Sequence, residues 1–141
     1  MATTVLGVLH HVDHVLRYDH SGWPFRSDVT PFTFSLLVYP LIAVLFLSRS
    51  RGLRLTVSLL LLVAIGFAHI FLEVPGDQYA VWANNQSRFG RAAGHPNLLN
   101  VRSPLLGVVA VSIALLLDLA VLLLPFVIGS EKREPARTPN H

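Results

Sequence analysis

Cysteine is absent from the chain, which excludes disulfides, zinc ribbons, iron–sulfur clusters and thiol catalysis. Methionine occurs once, as Met1, so the soft donors that suit copper(I) are missing as well. Charge is scarce: Asp, Glu, Lys and Arg make up 13 % of the residues, about half of the ~25 % usual in soluble domains. Eleven Lys and Arg exceed eight Asp and Glu by a small margin. No basic stripe with interleaved aromatics accompanies that excess, so nucleic acid is not an expected partner. Phosphate-binding glycine loops, nucleophile elbows and HExxH are also lacking.

What fills the chain instead is apolar. Hydrophobic residues account for 52 % of it, gathered in three blocks at 31–48, 53–73 and 104–128. At 1.5 Å rise per residue each is long enough to cross, or nearly cross, a hydrocarbon core of about 30 Å. Thr30-Pro31 and Ser103-Pro104 supply N-cap hydroxyls followed by first-turn prolines. Pro75-Gly76 stops the second block near Glu73, and Pro40 predicts a kink in the first.

Ahead of the blocks, the stretch 4–17 is amphipathic at helical spacing. Val5, Val8, Leu9, Val12, Val15 and Leu16 share one face, and His10, Asp13, His14 and Arg17 the other. This helix is too short to span, so it is expected either at the membrane interface or as a partial fourth helix with its polar face inward. Met1–His11 has no basic n-region and no cleavage pattern, and is expected to belong to the mature protein. The predicted fold is therefore an all-α membrane protein of three transmembrane helices plus the N-terminal amphipathic helix. It forms one helical domain over 1–130, with an outer loop at 77–102 and a flexible tail at 131–141. Trp23-Pro24-Phe25 suits an interfacial anchor, and Tyr79, Trp82 and Phe89 are the aromatics of the outer loop.

Orientation follows from the arginines. Arg49, Arg51 and Arg54 join the first two blocks, and Lys132, Arg133 and Arg137 lie in the tail. The positive-inside rule places both segments in the cytoplasm, with the N-terminus outside and the plasma membrane as the expected location. His10, His11, His14, His20, His69 and His95 then fall on the outer side, leaving only His141 of the seven histidines in the tail.

Two pairs on that side carry metal-ligand spacing. His10 and His14 are one helical turn apart with Asp13 beside them, and His69 and Glu73 repeat the i, i+4 spacing at the end of the second block. His10, Asp13, His14, His69 and Glu73 together make a mixed imidazole and carboxylate site suited to zinc, iron or copper(II). Haem is disfavoured because only His69 lies within a span. If the site is catalytic, Glu73 or Asp13 is the candidate base. The alternative reading of both pairs is a polar helix face and an interhelical contact.

Asp118 stands in the third block among leucines. A carboxylate there must face other helices and find a partner, with Tyr39 or Ser58 the candidates by depth. Function divides among three classes: a metal-binding membrane protein acting as a metalloenzyme or redox component, a non-catalytic subunit or assembly factor of a larger membrane complex, and a small oligomeric transporter using Asp118. The bilayer is the expected partner in all three, with other membrane subunits or further copies of the chain in the last two.

Overall fold

The computed structural model describes residues 1–17, 35–88 and 93–131. Every regular element in them is helical: α1 (Ala2–Leu16), α2 (Val38–Leu47), α3 (Arg51–Phe67), a π-helical turn (Ala68–Leu72), α4 (Pro75–Ala83) and α5 (Pro104–Ser130). The Thr30-Pro31 cap, the Trp23-Pro24-Phe25 anchor, His20, Phe89 and the tail at 132–141 lie outside the described residues.

Two helical segments are long and apolar enough to cross a membrane, Arg51–Leu72 with 22 residues and Pro104–Ser130 with 27. The sequence's first block is helical over Ser35–Leu47, where a 3₁₀ turn leads into α2. That segment is shorter than a crossing requires, and residues 31–34 lie outside the described ones. Pro40 falls in the first turn of α2, where proline is tolerated.

Local chemistry explains the ends. Ser50 begins α3 by accepting the Leu53 amide, and Ser103 begins α5 by accepting that of Leu106. At the other end of α5, Arg51 donates to the carbonyls of Ile128 and Gly129, and Arg54 grips Glu131 through both guanidinium nitrogens at 2.7 and 2.8 Å. Arg51 thus satisfies orphan carbonyls at the C-terminus of α5 and Arg54 that of Leu45 near the end of α2, where positive charge is favoured. The 49–54 link and the start of the tail therefore lie at one end of the bundle.

Along α5 the buried positions Gly107, Ala110, Ala114, Leu117, Val121 and Ile128 keep a spacing of threes and fours or its multiple, which draws one seam along the helix. Its first half carries small residues, so neighbouring backbones approach closely. A methyl group on Gly107 would stand 2.9 Å from the Tyr79 carbonyl of α4, so only glycine admits α4 at this distance. The second half of the seam meets Ile42, Leu45, Val57 and Leu61 of α2 and α3 in the apolar core.

α1 is turned inside out relative to a helix of a soluble protein. Thr3, His10, Asp13 and His14 are buried, as is Arg17 just past its end, whereas Val5, Val8, Leu9 and Val12 are about half exposed. The polar face of α1 therefore points into the bundle rather than outward. Leu98 donates its amide to the Leu16 carbonyl at 2.9 Å, which ties the α4–α5 loop to the C-terminus of α1. Asn97 holds that loop from inside, donating to the carbonyls of Val81 and Val101.

Candidate metal centre

Three histidines meet where α1 faces the π-helical turn that follows α3. His10 and His14, one turn apart, bring their Nε2 atoms to 3.0 Å from each other. The π-helical turn carries His69 and ends at Glu73, whose amide reaches the Ala68 carbonyl five residues back at 2.8 Å. Widened turns of this kind recur at functional sites because they redirect side chains out of α-helical register. Here the turn sends His69 Nε2 to 3.0 Å from His10 Nε2. It also sends a Glu73 carboxylate oxygen to 2.9 Å from His14 Nε2 and 3.7 Å from His10 Nε2.

Neutral imidazoles cannot satisfy these contacts together. His69 Nδ1 donates to Asp118 Oδ1 at 2.7 Å, which leaves its Nε2 with a lone pair, so the hydrogen between His69 and His10 must belong to His10. The contact with Glu73 requires a hydrogen on His14 Nε2. Nε2 of His10 and Nε2 of His14 then both carry a hydrogen, and neither offers the other a lone pair across their 3.0 Å contact. A cation among them, whether an added proton or a metal ion, removes the conflict.

The group that could hold a metal ion is His10, His14 and Glu73, each buried, with donor atoms all within 4.8 Å of one another. Tetrahedral coordination with bonds of about 2.0–2.1 Å sets donors ~3.3 Å apart, and the observed contacts of 2.9, 3.0 and 3.7 Å bracket that value. His69 joins this group through His10.

Of the five residues proposed as ligands from sequence, Asp13 stands apart. Its Oδ1 accepts from the Trp82 indole at 2.7 Å, and its Oδ2 pairs with Arg17 at 2.8 Å. Arg17, fully buried, also pairs with the Glu73 oxygen that turns away from the histidines. Asp13 therefore acts on the cluster through Arg17. Neither Arg17 nor Trp82 is among the site residues proposed from sequence, although Arg17 sits four positions after Asp13 on the same polar face.

Asp118 pairs with His69 rather than with either partner suggested by depth. Ser58 donates to the Leu55 carbonyl of its own helix, and Tyr39 packs edge-on against His11 with ring centroids 5.9 Å apart. The Asp118 side chain keeps 35 % of its surface exposed, toward a recess of about 360 Å³ lined by Leu62, Ile65, Gly66, Ile70 and Leu122. His11, on the far side of His14, is half-buried, and burial followed by repulsion from His10 lowers its pKa.

The charged side chains around the centre sum to a negative formal charge. Burial pushes His14 down to about 3, so its imidazole is neutral and fit to ligate at ordinary pH. Burial alone would raise Glu73, but the Arg17 charge and then His14 hold it well below the usual carboxylate range. Glu73, Asp13 and Asp118 surround three imidazoles with Arg17 as the cation among them. The carboxylates thus outweigh the guanidinium by two charges, the charge of a divalent ion.

A second feature adjoins the cluster. His10, His14, His69 and Glu73 form one wall of a half-open cavity of about 470 Å³. Comparison with protein-family models, with curated proteins and with solved structures gives no match.

Proposed function

We propose that this is a membrane protein that binds one divalent transition metal through His10, His14 and Glu73 and uses it as the centre of a metalloenzyme. The observation that carries the reading is the convergence of two imidazole nitrogens and one carboxylate oxygen, all buried, within 4.8 Å. Three protein donors would leave a four-coordinate ion one further position, as in catalytic rather than structural zinc sites. Mixed imidazole and carboxylate donors suit zinc, iron and copper(II).

An ion bound there supplies Lewis acidity. The residues around it supply the rest. Asp118 holds His69 in the tautomer whose Nε2 lone pair points toward His10 and the open side. His69 is thereby placed to take a proton from a group bound beside it, with Asp118 stabilising the imidazolium that results. Glu73 serves as a ligand and Asp13 as the anchor of Arg17, so neither sequence-based candidate for the base takes that role. Purified protein should carry close to one equivalent of zinc, iron or copper by elemental analysis. Metal-free protein that also fails to take up added zinc or cobalt would sink the proposal.

The outward faces of the helices support the membrane part of this reading. Val63, Ile70 and Phe71 of Arg51–Leu72, and Leu105, Phe126 and Val127 of α5, are mostly exposed, whereas Asp13, Arg17 and Glu73 are buried. The 35–47 segment and α1 would complete the bundle as partial helices beside two full spans. With the arginine end in the cytoplasm, the metal centre lies at the extracytoplasmic end. A cysteine at exposed Gln86 should then react with a membrane-impermeant reagent in intact cells, and one at exposed Ser130 should not. The reverse pattern would place the centre inside.

A further inference from the structure

The cavity beside the donor cluster has two kinds of wall. One is the polar end already described. The other is hydrocarbon, contributed by residues such as Leu41, Ile42, Ala64, Ile65, Leu117 and Val121. At about 470 Å³ it falls within the ~300–1,000 Å³ range of sites for small organic ligands. Leu37, Phe67 and Leu72 also line it and are exposed apolar side chains, so the cavity borders the apolar outer surface that a bilayer would cover. Gly7 of α1 lines it as well, and a methyl group added there meets no atom within 4 Å.

From this arrangement, and resting on the metal-binding reading above, we infer that the cavity binds a long-chain lipid-like molecule whose neutral oxygen head, a hydroxyl or carbonyl, meets the metal. The apolar wall selects the chain. The coordination position that three protein donors would leave free could accept an oxygen donor. Charge selects a neutral head: a divalent ion cancels the excess of the three carboxylates over Arg17, and Arg17 is already paired with Asp13 and Glu73. A carboxylate or phosphate head would bring a buried negative charge with no cation assigned to it.

The test uses full-length protein in lipid nanodiscs, loaded with cobalt(II), whose visible absorption reports a change of ligand. Hexadecan-1-ol should perturb the cobalt bands at concentrations where ethanol does not. Gly7→Leu should retain cobalt and weaken the response to hexadecan-1-ol by about tenfold or more, because the added side chain occupies the volume of the alkyl chain. Ala64→Leu, on the opposite wall, serves as the second blocking variant if Gly7→Leu fails to fold.

Bound cobalt with no response to hexadecan-1-ol overturns the inference while leaving the metal reading intact. So does an equal response to ethanol, a stronger response to palmitate, or an undiminished response in the blocked variants. Failure to bind cobalt overturns both.

Discussion

Replacing His14 with alanine should strip the metal from the purified protein, and Glu73→Gln should do the same, while both variants keep their helical content. The expectation rests on where each side chain sits. His14 Nε2 is in contact with two of the other donors, His10 at 3.0 Å and Glu73 at 2.9 Å, so its removal opens the centre of the cluster rather than its edge. The apolar core over Ile42, Leu45, Val57, Leu61, Leu117, Val121 and Ile128 is built from residues other than the ligands, so the fold should not depend on the ion. His69→Ala and Asp118→Asn should behave differently. These residues act at the flank, and loss of an outer partner typically costs about 10–100-fold in metal affinity. Metal titration of the purified variants, read against circular dichroism, separates the two classes. If His14→Ala binds metal as tightly as the parent, the assignment of ligands is wrong. If His69→Ala loses metal as completely as His14→Ala, then His69 is a fourth ligand and not the base.

Much of this centre was legible in the sequence because helical periodicity is a local property. The i, i+4 spacing of His10 with His14 and of His69 with Glu73 put each pair on one face before any tertiary contact was known, and the amphipathic pattern of residues 4–17 gave the polar face of α1. Whether that face points to water or into the bundle is a tertiary question, and both placements fitted the pattern. The partner of Asp118 was misjudged for a related reason. Depth counted from the ends of the apolar blocks cannot register the π-helical turn at Ala68–Leu72, which turns His69 toward α5.

Block length misled in another way. An apolar run sets an upper limit on a helix, and the 3₁₀ turn at 35–37 keeps α2 proper to Val38–Leu47. Trp82 looked like a loop aromatic because nothing local marks α4 as packed against α5. It becomes a partner of Asp13 only through the close approach that Gly107 permits.

Arg17→Met should be among the most destabilising single substitutions in the metal-free protein. Arg17 is completely buried and pairs with both Asp13 and Glu73. Methionine fills much of the same volume, so the loss is chiefly of charge. Removing one partner from a buried ion pair leaves the others uncompensated, at a cost of about 3–5 kcal/mol. Two features distinguish this account from simple loss of packing, and both follow from Glu73.

The first is pH. Glu73 is pulled down by Arg17 and His14 against the opposing effect of its own burial, and His10 also faces it. In the parent, its depressed pKa contributes stability present above the unfolded value, lost only as pH falls through the low folded value. Without Arg17 the burial effect dominates and the folded pKa rises, so protonation relieves the variant as the medium becomes acidic. The gap in thermal stability between parent and variant should therefore narrow as pH falls from 7 toward about 4, near the unfolded carboxylate range.

The second is metal. A divalent ion bound by Glu73, His10 and His14 supplies the positive charge that Arg17 no longer does, so added zinc should stabilise the variant more than it stabilises the parent. Thermal unfolding followed by circular dichroism, with and without zinc at each pH, measures all of these. A gap that is independent of both pH and zinc would show that Arg17 acts through packing alone.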